Sequence, residues 1–458
     1  MNKFILSLDQ GTTSSRALLI DQNGKISGIV QKELTQIYPD NGWVEHNPNE
    51  ILNSQIEVID QVISENNIEI SQIAAIGITN QRETAVVWDK DTGIPIYNAI
   101  VWQDIRTTDI CEDLKNKNLD KEISNKTGLL IGPYFSATKI SWILNNVKSA
   151  KERAKSGKLL FGTIDSWLIW NLTDKQTHAT DFSNASRTML YNINKLEWDS
   201  DILNELDIPK SMLPKVLNSS ANFGNFNYKG HKIPIYGVLG DQQASLFGQK
   251  CFDETSTKNT YGTGCFMLMN TEEKIIKSKN GLLSTIAWGI NGKICYALEG
   301  SIFIAGAGIQ WLRDEMGIIN SSEESEEHAL KSSDKSNLFV VPAFNGLGAP
   351  HWDMYATGLI IGITRDTNKS DIIKATLDSI AYQTKDVMLS MEKDSQSKIK
   401  LLKVDGGASN NNYLMQFQSD ILGIKIERPH NTEITALGAA YIAGLLCSFW
   451  DINHLKNL

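Results

Sequence analysis

Short apolar runs broken by polar turns set the rhythm of the first third of the chain. Residues 4–8 (Phe-Ile-Leu-Ser-Leu) lead into Asp9-Gln-Gly-Thr-Thr-Ser-Ser15, a second run follows at 17–20, and Gln22-Asn-Gly24 separates it from a third over 25–34. This spacing predicts an antiparallel strand meander. Residues 74–79 predict a further strand ending at Asn80-Gln-Arg-Glu83, and 85–88 with 94–96 predict two short strands around Asp89-Lys-Asp-Thr-Gly93. Helical spacing predicts helices over 114–126 and 136–146. The theme returns later: a strand over 233–239 ends in Gly240-Asp241, runs at 258–261 and 265–270 bracket Gly262-Thr-Gly264, and 411–422 is helical. The mixture of strands and helices predicts an α/β or α+β fold. The longest apolar stretch, 436–450, is too short to span a bilayer and reads as a buried helix.

Length adds domain number to this picture. A chain of 458 residues exceeds one hydrophobic core and suggests about three domains, or two large ones. A domain boundary is expected near 246–256, where an apolar segment closes at Phe247-Gly-Gln249 and the polar stretch 253–257 begins. Domains are accordingly expected at 1–246 and 247–458. Counted with glycine and without tyrosine, the apolar share is about 46 %, ordinary for a globular protein and incompatible with disorder. The net charge of −9 gives no footprint for nucleic acid and favours a small-molecule partner. Five scattered cysteines without a C-x-x-C pair point to neither disulfides nor zinc but to a reducing compartment. The run Ser321-Ser-Glu-Glu-Ser-Glu-Glu-His328 reads as a solvated helix start.

Neither G-x-x-x-x-G-K-[ST] nor G-x-G-x-x-G occurs, so any phosphate site must be built differently. Three loops qualify: Asp9-Gln-Gly-Thr-Thr-Ser-Ser-Arg16, Tyr261-Gly-Thr-Gly264 and Val404-Asp-Gly-Gly-Ala-Ser-Asn-Asn411. Each follows a strand-like run and offers backbone N–H groups with hydroxyls, although each taken alone reads first as an ordinary turn. Asp9, at the end of an apolar strand, is a carboxylate that needs a cation, and Mg²⁺ is the natural one beside phosphates. The helix after Gly406-Gly407 would turn its N-terminus toward an anionic or polar ligand. A second group joins charges to aromatics: Arg82, Glu83, Trp102, Tyr134, Asp241, Gln242 and Phe266. Such a set suits a polyhydroxy compound, while core packing explains Trp102 equally well. Asp241, between a strand and an apolar helix, fits either a capping residue or a general base.

These motifs resemble the FGGY carbohydrate kinases, and among them the branch that phosphorylates glycerol. The carriers are Asp9 to Arg16, Asn80-Gln-Arg-Glu83, Trp102-Gln-Asp104, Gly240-Asp-Gln-Gln243, Tyr261-Gly-Thr-Gly-Cys-Phe266 and Asp405-Gly-Gly407. Two longer signatures, Tyr134-Phe-Ser-Ala-Thr-Lys-Ile-Ser-Trp142 and Gly358-Leu-Ile-Ile-Gly-Ile363 running on to Asp378, also fit. The resemblance implies two ribonuclease-H-like domains of the actin and hexokinase type flanking a central cleft. It implies ATP-dependent phosphorylation of glycerol to sn-glycerol 3-phosphate; another sugar kinase of the family and an actin-like nucleotide switch are the alternatives. By the same resemblance Thr12, Thr13, Ser14 and Arg16 contact the nucleotide phosphates, and Thr263, Gly306, Gln310, Gly407 and Asn411 hold ATP. Arg82, Glu83, Tyr134, Asp241 and Gln242 match the glycerol-hydroxyl contacts, Trp102 and Phe266 flank the carbon chain, Asp241 is the catalytic base and Asp9 the Mg²⁺ residue. The implied partners are glycerol and MgATP, with no nucleic acid and no membrane span, in a cytoplasmic homo-oligomer, a dimer or tetramer. Two departures accompany these matches. The chain ends at Leu458, where members usually continue into a helical tail, and 223–232 matches neither regulatory contacts nor a phosphorylated histidine, leaving His231 as a loop residue.

Overall fold

The meander expected at the start of the chain forms as β1 (Phe4–Gln10), β2 (Ser14–Asp21) and β3 (Ile26–Glu33), each antiparallel to the next. The computed structural model describes residues 3–332, 337–344 and 346–458. After helix α1 (Pro48–Glu65) the chain returns as β4 (Ile73–Asn80), parallel to β1, and the hairpin β5 (Asn225–Tyr228) and β6 (His231–Gly240) completes a sheet of order β5-β6-β4-β1-β2-β3. Asn47 caps α1 by accepting from Asn49 N–H, and Pro48 occupies its first turn, where no amide donor is needed. The face of α1 bearing Ile51, Val58, Ile59 and Val62 is buried with Leu6, Leu8, Ile76 and Ile78 of the sheet. Each such side chain contributes about 2 kcal/mol.

The sheet is covered on its other face as well, which is why β1 reads as a nearly unbroken apolar run. Ser7 points that way and its Oγ donates to the carbonyl of Ala436 at 2.7 Å, in helix α7 (Ile434–Leu446). Close packing there requires a bare backbone. A Cβ at Gly438 of α7 would stand 1.9 Å from the Ala244 carbonyl oxygen of α3 (Asp241–Gly248).

The chain partitions into two compact units. The first takes in everything up to Lys250 together with Thr285–Tyr296 and Glu433–Leu458; the second comprises Cys251–Ser284 and Ala297–Thr432. The return of Glu433–Leu458 to the first unit is a feature that one linear division at residue 246 does not contain. The second sheet follows the logic of the first. β7 (Thr257–Tyr261) is antiparallel to β8 (Cys265–Glu272) and parallel to β11 (Leu401–Asp405), in the order β9-β10-β8-β7-β11-β12, with β9 Leu283–Ile290, β10 Lys293–Ile302 and β12 Lys425–Glu427. Helices α4 (Gly306–Asp314), α5 (Lys369–Ser395) and α6 (Asn412–Leu422) accompany it. Each domain is thus a mixed sheet with helices, the α/β class expected.

Local departures have local causes. The helix expected over 114–126 is two, Thr108–Asn116 and Asp120–Thr127, because Asn118 adopts a left-handed φ of 59° between them. Residues 94–96 form no strand: Val86–Asp89 pairs instead with Leu159–Gly162, leaving one bridge to Pro95. His231 opens β6 rather than lying in a loop. The acidic run forms a helix start at Glu324–Lys331, as expected, but Ser325 and Ala329 on it are buried. Among the described residues no helix is long and apolar enough to cross a membrane.

Candidate active site

β1 carries Asp9 to a tight turn closed by Gly11 N–H donating to the Ser14 carbonyl at 2.9 Å. Thr12 and Thr13 form the turn itself, while Ser14 and Arg16 already belong to β2. Asp9 is 8 % exposed. Burial is the dominant influence on its carboxyl and pushes the pKa up to about 6, against the opposing pull of Arg16. Arg16 Nη1 lies 2.9 Å from Glu433 Oε2 and 3.8 Å from Asp9 Oδ2. Glu433 directly precedes α7, and the return of that helix is what brings it here.

Two glutamines hold the turn from behind. Gln36 Nε2 donates to the Thr12 carbonyl at 3.0 Å and Gln81 Nε2 to the Gly11 carbonyl at 3.3 Å. Both also reach the buried ring of His46, Gln36 Oε1 at Nε2 (2.9 Å) and Gln81 Nε2 at Nδ1 (3.2 Å). An amide N–H at Nδ1 requires that nitrogen to accept, so the proton sits on Nε2 and is donated to Gln36. Burial lowers the His46 pKa to about 4, which keeps the ring neutral near pH 7.

A second group of side chains gathers at the ends of β4 and β6. The backbone after β4 folds into a γ-turn, Thr84 N–H donating to the Arg82 carbonyl at 2.6 Å with Glu83 at φ 60°. That conformation costs a non-glycine residue about 1–3 kcal/mol and is found where function demands it. Ser136, at the start of helix α2 (Ser136–Asn146), donates from Oγ to the Glu83 carbonyl at 2.8 Å and helps to hold the turn. Arg82 Nε lies 3.2 Å from Asp241 Oδ1 and 3.8 Å from Glu83 Oε1. The Arg82 stem crosses Gly240, where an added Cβ would stand 2.8 Å from its Cγ and Cδ.

Gly240 is the N-cap of α3, so Asp241 is the first helical residue and not the cap. Its Oδ1 accepts from Gln242 N–H at 2.7 Å, and the side chain remains 31 % exposed. A carboxylate at this position is favoured by the helix dipole and still reaches solvent. Gln242 is buried beside it. Trp102 and Tyr134 meet edge to face, ring centres 5.6 Å apart. The Trp102 backbone N–H donates to Thr84 Oγ1 at 3.2 Å, and the loop beyond is fixed by Arg106, which pairs with Asp104 at 2.7 Å and lies 3.8 Å over the Trp43 ring. Arg187, absent from the sequence-derived set, donates from Nε to Glu83 Oε1 at 2.7 Å. An arginine 104 positions from its carboxylate carries no sequence signal beyond being a cation.

The second unit assembles its own loops. Gly406, at φ 86°, lies so close to Tyr261 that a Cβ would stand 2.5 Å from the Tyr261 carbonyl oxygen. Thr263 is tied to the start of α4, its carbonyl accepting from Ala305 and Ala307 N–H at 2.8 and 3.0 Å, while Gly306 N–H donates to the Gly262 carbonyl at 3.0 Å. Thr263, Gly306 and Gly407 are therefore brought together, and exposed Gln310 stands one turn into α4. Phe266 is half-buried on β8. The start of α6 departs from expectation. Asn411 caps it, accepting from Leu414 N–H at 2.9 Å, and Glu326 accepts from Asn412 N–H at 2.8 Å, so that helix N-terminus is met by the protein's own groups.

Comparison with known proteins agrees with this organisation. The model of the FGGY family of carbohydrate kinases, N-terminal domain, matches residues 4–248, and that of the C-terminal domain matches 257–447. The chain is 62 % identical over 453 residues to a glycerol kinase of Caldanaerobacter subterraneus, covering 98 % of this chain and 91 % of the relative. It is 60 % identical over 460 residues to a glycerol kinase of Fusobacterium nucleatum, covering 99 % and 93 %. A crystal structure of Plasmodium falciparum glycerol kinase with ADP superposes with a TM-score of 0.92 at 38 % identity, covering 99 % of this chain and 92 % of that one. Matched over residues 4–248 and 257–447, the protein belongs to the FGGY family of carbohydrate kinases.

Proposed function

We propose that the protein transfers the γ-phosphoryl group of ATP to a terminal hydroxyl of glycerol, giving sn-glycerol 3-phosphate and ADP. The observation that carries this reading is the Arg82–Asp241 ion pair beside Glu83, with a partly exposed carboxylate at its edge. Charged acceptors and a guanidinium fix hydroxyl groups, and Trp102 with Tyr134 offers apolar edges to the carbon chain. Relatives about 60 % identical that are named glycerol kinases favour glycerol over a longer sugar. Gln242 joins Arg82, Glu83, Tyr134 and Asp241 as a hydroxyl contact, and Phe266 as a second apolar one.

In phosphoryl transfer the protein chiefly positions reactants and neutralises charge. Asp241 accepts the proton of the attacking hydroxyl, a role worth about 10² to 10⁴ in rate. Thr12, Thr13, Ser14 and Arg16 take the phosphates; Thr263, Gly306, Gln310, Gly407 and Asn411 are the nucleotide contacts of the second unit. Asp9 suits Mg²⁺: the ion is commonly held by one or two carboxylates, with water and substrate phosphates supplying its other ligands. Burial makes that carboxyl costly to ionise without a cation, and no denser cluster of metal-binding side chains exists among the described residues. When bound, Mg²⁺ neutralises phosphate charge. A cytoplasmic location agrees with five free cysteines, and a homo-oligomeric state with the family resemblance.

Steady-state ADP release across glycerol, dihydroxyacetone, xylulose, ribulose and gluconate tests the reading. Glycerol is expected to give the highest kcat/KM; a pentulose or gluconate exceeding it would overturn the assignment.

A further inference from the structure

One charged side chain of the hydroxyl-binding cluster has no part in the reading above. Arg187 is completely buried. Its Nε donates to Glu83 Oε1 at 2.7 Å, and its guanidinium carbon lies 5.6 Å from the Tyr134 ring centre and 5.4 Å from that of Phe135. A single cation therefore holds a carboxylate and lies within cation–π range of an aromatic ring, both of them among the proposed polyol contacts. The element carrying it is itself rigid. Asp181 caps the short helix Phe182–Ala185 through Ser183 and Asn184 N–H, and Arg187 N–H donates to the Asn184 carbonyl at 3.0 Å. The same turn grips the other carboxylate's neighbour, since Gly240 N–H donates to Ser183 Oγ at 2.9 Å.

We infer that Arg187 is a positioning residue for polyol recognition, setting the affinity for the hydroxyl substrate by fixing the Glu83 carboxylate beside the Tyr134 ring. Glu83 sits at the centre of a strained turn, and an unrestrained carboxylate there would sample several rotamers instead of presenting one oxygen arrangement. A guanidinium is the group for this task. Its Nε–H bonds the carboxylate while its delocalised charge stays near the ring, which the point charge of a lysine cannot reproduce. The inference rests on the polyol-kinase reading and adds to it the residue that orients the hydroxyl contacts.

The test is Arg187→Lys, which keeps the charge and loses the fork, assayed with whichever polyol of the substrate panel the parent accepts best. The expected result is a KM for the polyol raised about 10- to 100-fold, with the KM for ATP within about twofold of the parent. A folded Arg187→Lys enzyme with an unchanged polyol KM would overturn the inference while leaving the proposed function intact; a parent inert toward the whole panel overturns both. Should the lysine variant fail to give a cooperative melt, Glu83→Gln is compared with the pair Glu83→Gln/Arg187→Met, which buries no ion. Equal polyol KM values support action through Glu83, and a further tenfold loss in the pair overturns it.

Discussion

The indole N–H of Trp102 donates to the hydroxyl of Thr12 at 2.9 Å. That bond ties an aromatic wall proposed for the polyol to the turn proposed for the phosphates, both within the first unit. Trp102→Phe keeps one aromatic ring and removes the N–H donor together with the second ring of the indole. A net hydrogen bond is worth about 1 kcal/mol, so roughly a three- to tenfold rise is expected in the KM for both glycerol and ATP. A rise for glycerol alone would show that the bond does not couple the two groups.

Asp241→Asn keeps the shape of the side chain and an oxygen for the Gln242 N–H. It removes the charge and the capacity to take a proton. Turnover is expected to fall about 10²- to 10⁴-fold while glycerol still binds, as calorimetry would register. Near-parental turnover would exclude the base assignment.

Gly240→Ala probes the same pair through packing. The new Cβ would lie 2.8 Å from Arg82 Cγ and Cδ, so the arginine stem must move away from Asp241. Misplacement by about an ångström can cost 10²-fold, and that drop in kcat/KM is expected, together with an overpacking loss of about 1–3 kcal/mol in stability. Parental kinetics would mean that the position of Arg82 is not critical.

These sites differ in how far the sequence exposes them. The first meander is legible because short apolar runs are separated by polar turns, and the helix Ser136–Asn146 because its apolar positions keep helical spacing. The strand partner of Val86–Asp89 is not, since pairing with Leu159–Gly162 is non-local and prevails over the nearer turn. Asp9, Arg82, Glu83 and Asp241 stand at the ends of recognisable strands, where chemistry is commonly placed. Arg187 and Glu433 sit in no such position. Each matters through one ion pair closed over a long stretch of chain, 104 residues for Arg187 with Glu83 and 417 for Glu433 with Arg16, which local patterning does not encode.

His46 joins the phosphate turn to pH. Its pKa is about 4 in the folded protein, with burial the largest cause, against an ordinary value of 6.5. Between those values the unfolded chain binds a proton that the native ring refuses, so stability falls as pH drops through 6.5 toward 4 and is fully regained above 6.5. From pH 7 to pH 5 this single group costs about 2 kcal/mol. His46→Gln retains polar atoms for Gln36 and Gln81 and cannot titrate, so its denaturant-unfolding free energy is expected to lose about 2 kcal/mol less than the parent's over that interval. Because Gln81 needs an acceptor at Nδ1, protonation would also break its bond to the ring and loosen the turn at Gly11 and Thr12. Identical acid sensitivity of parent and variant would place the relevant titration elsewhere.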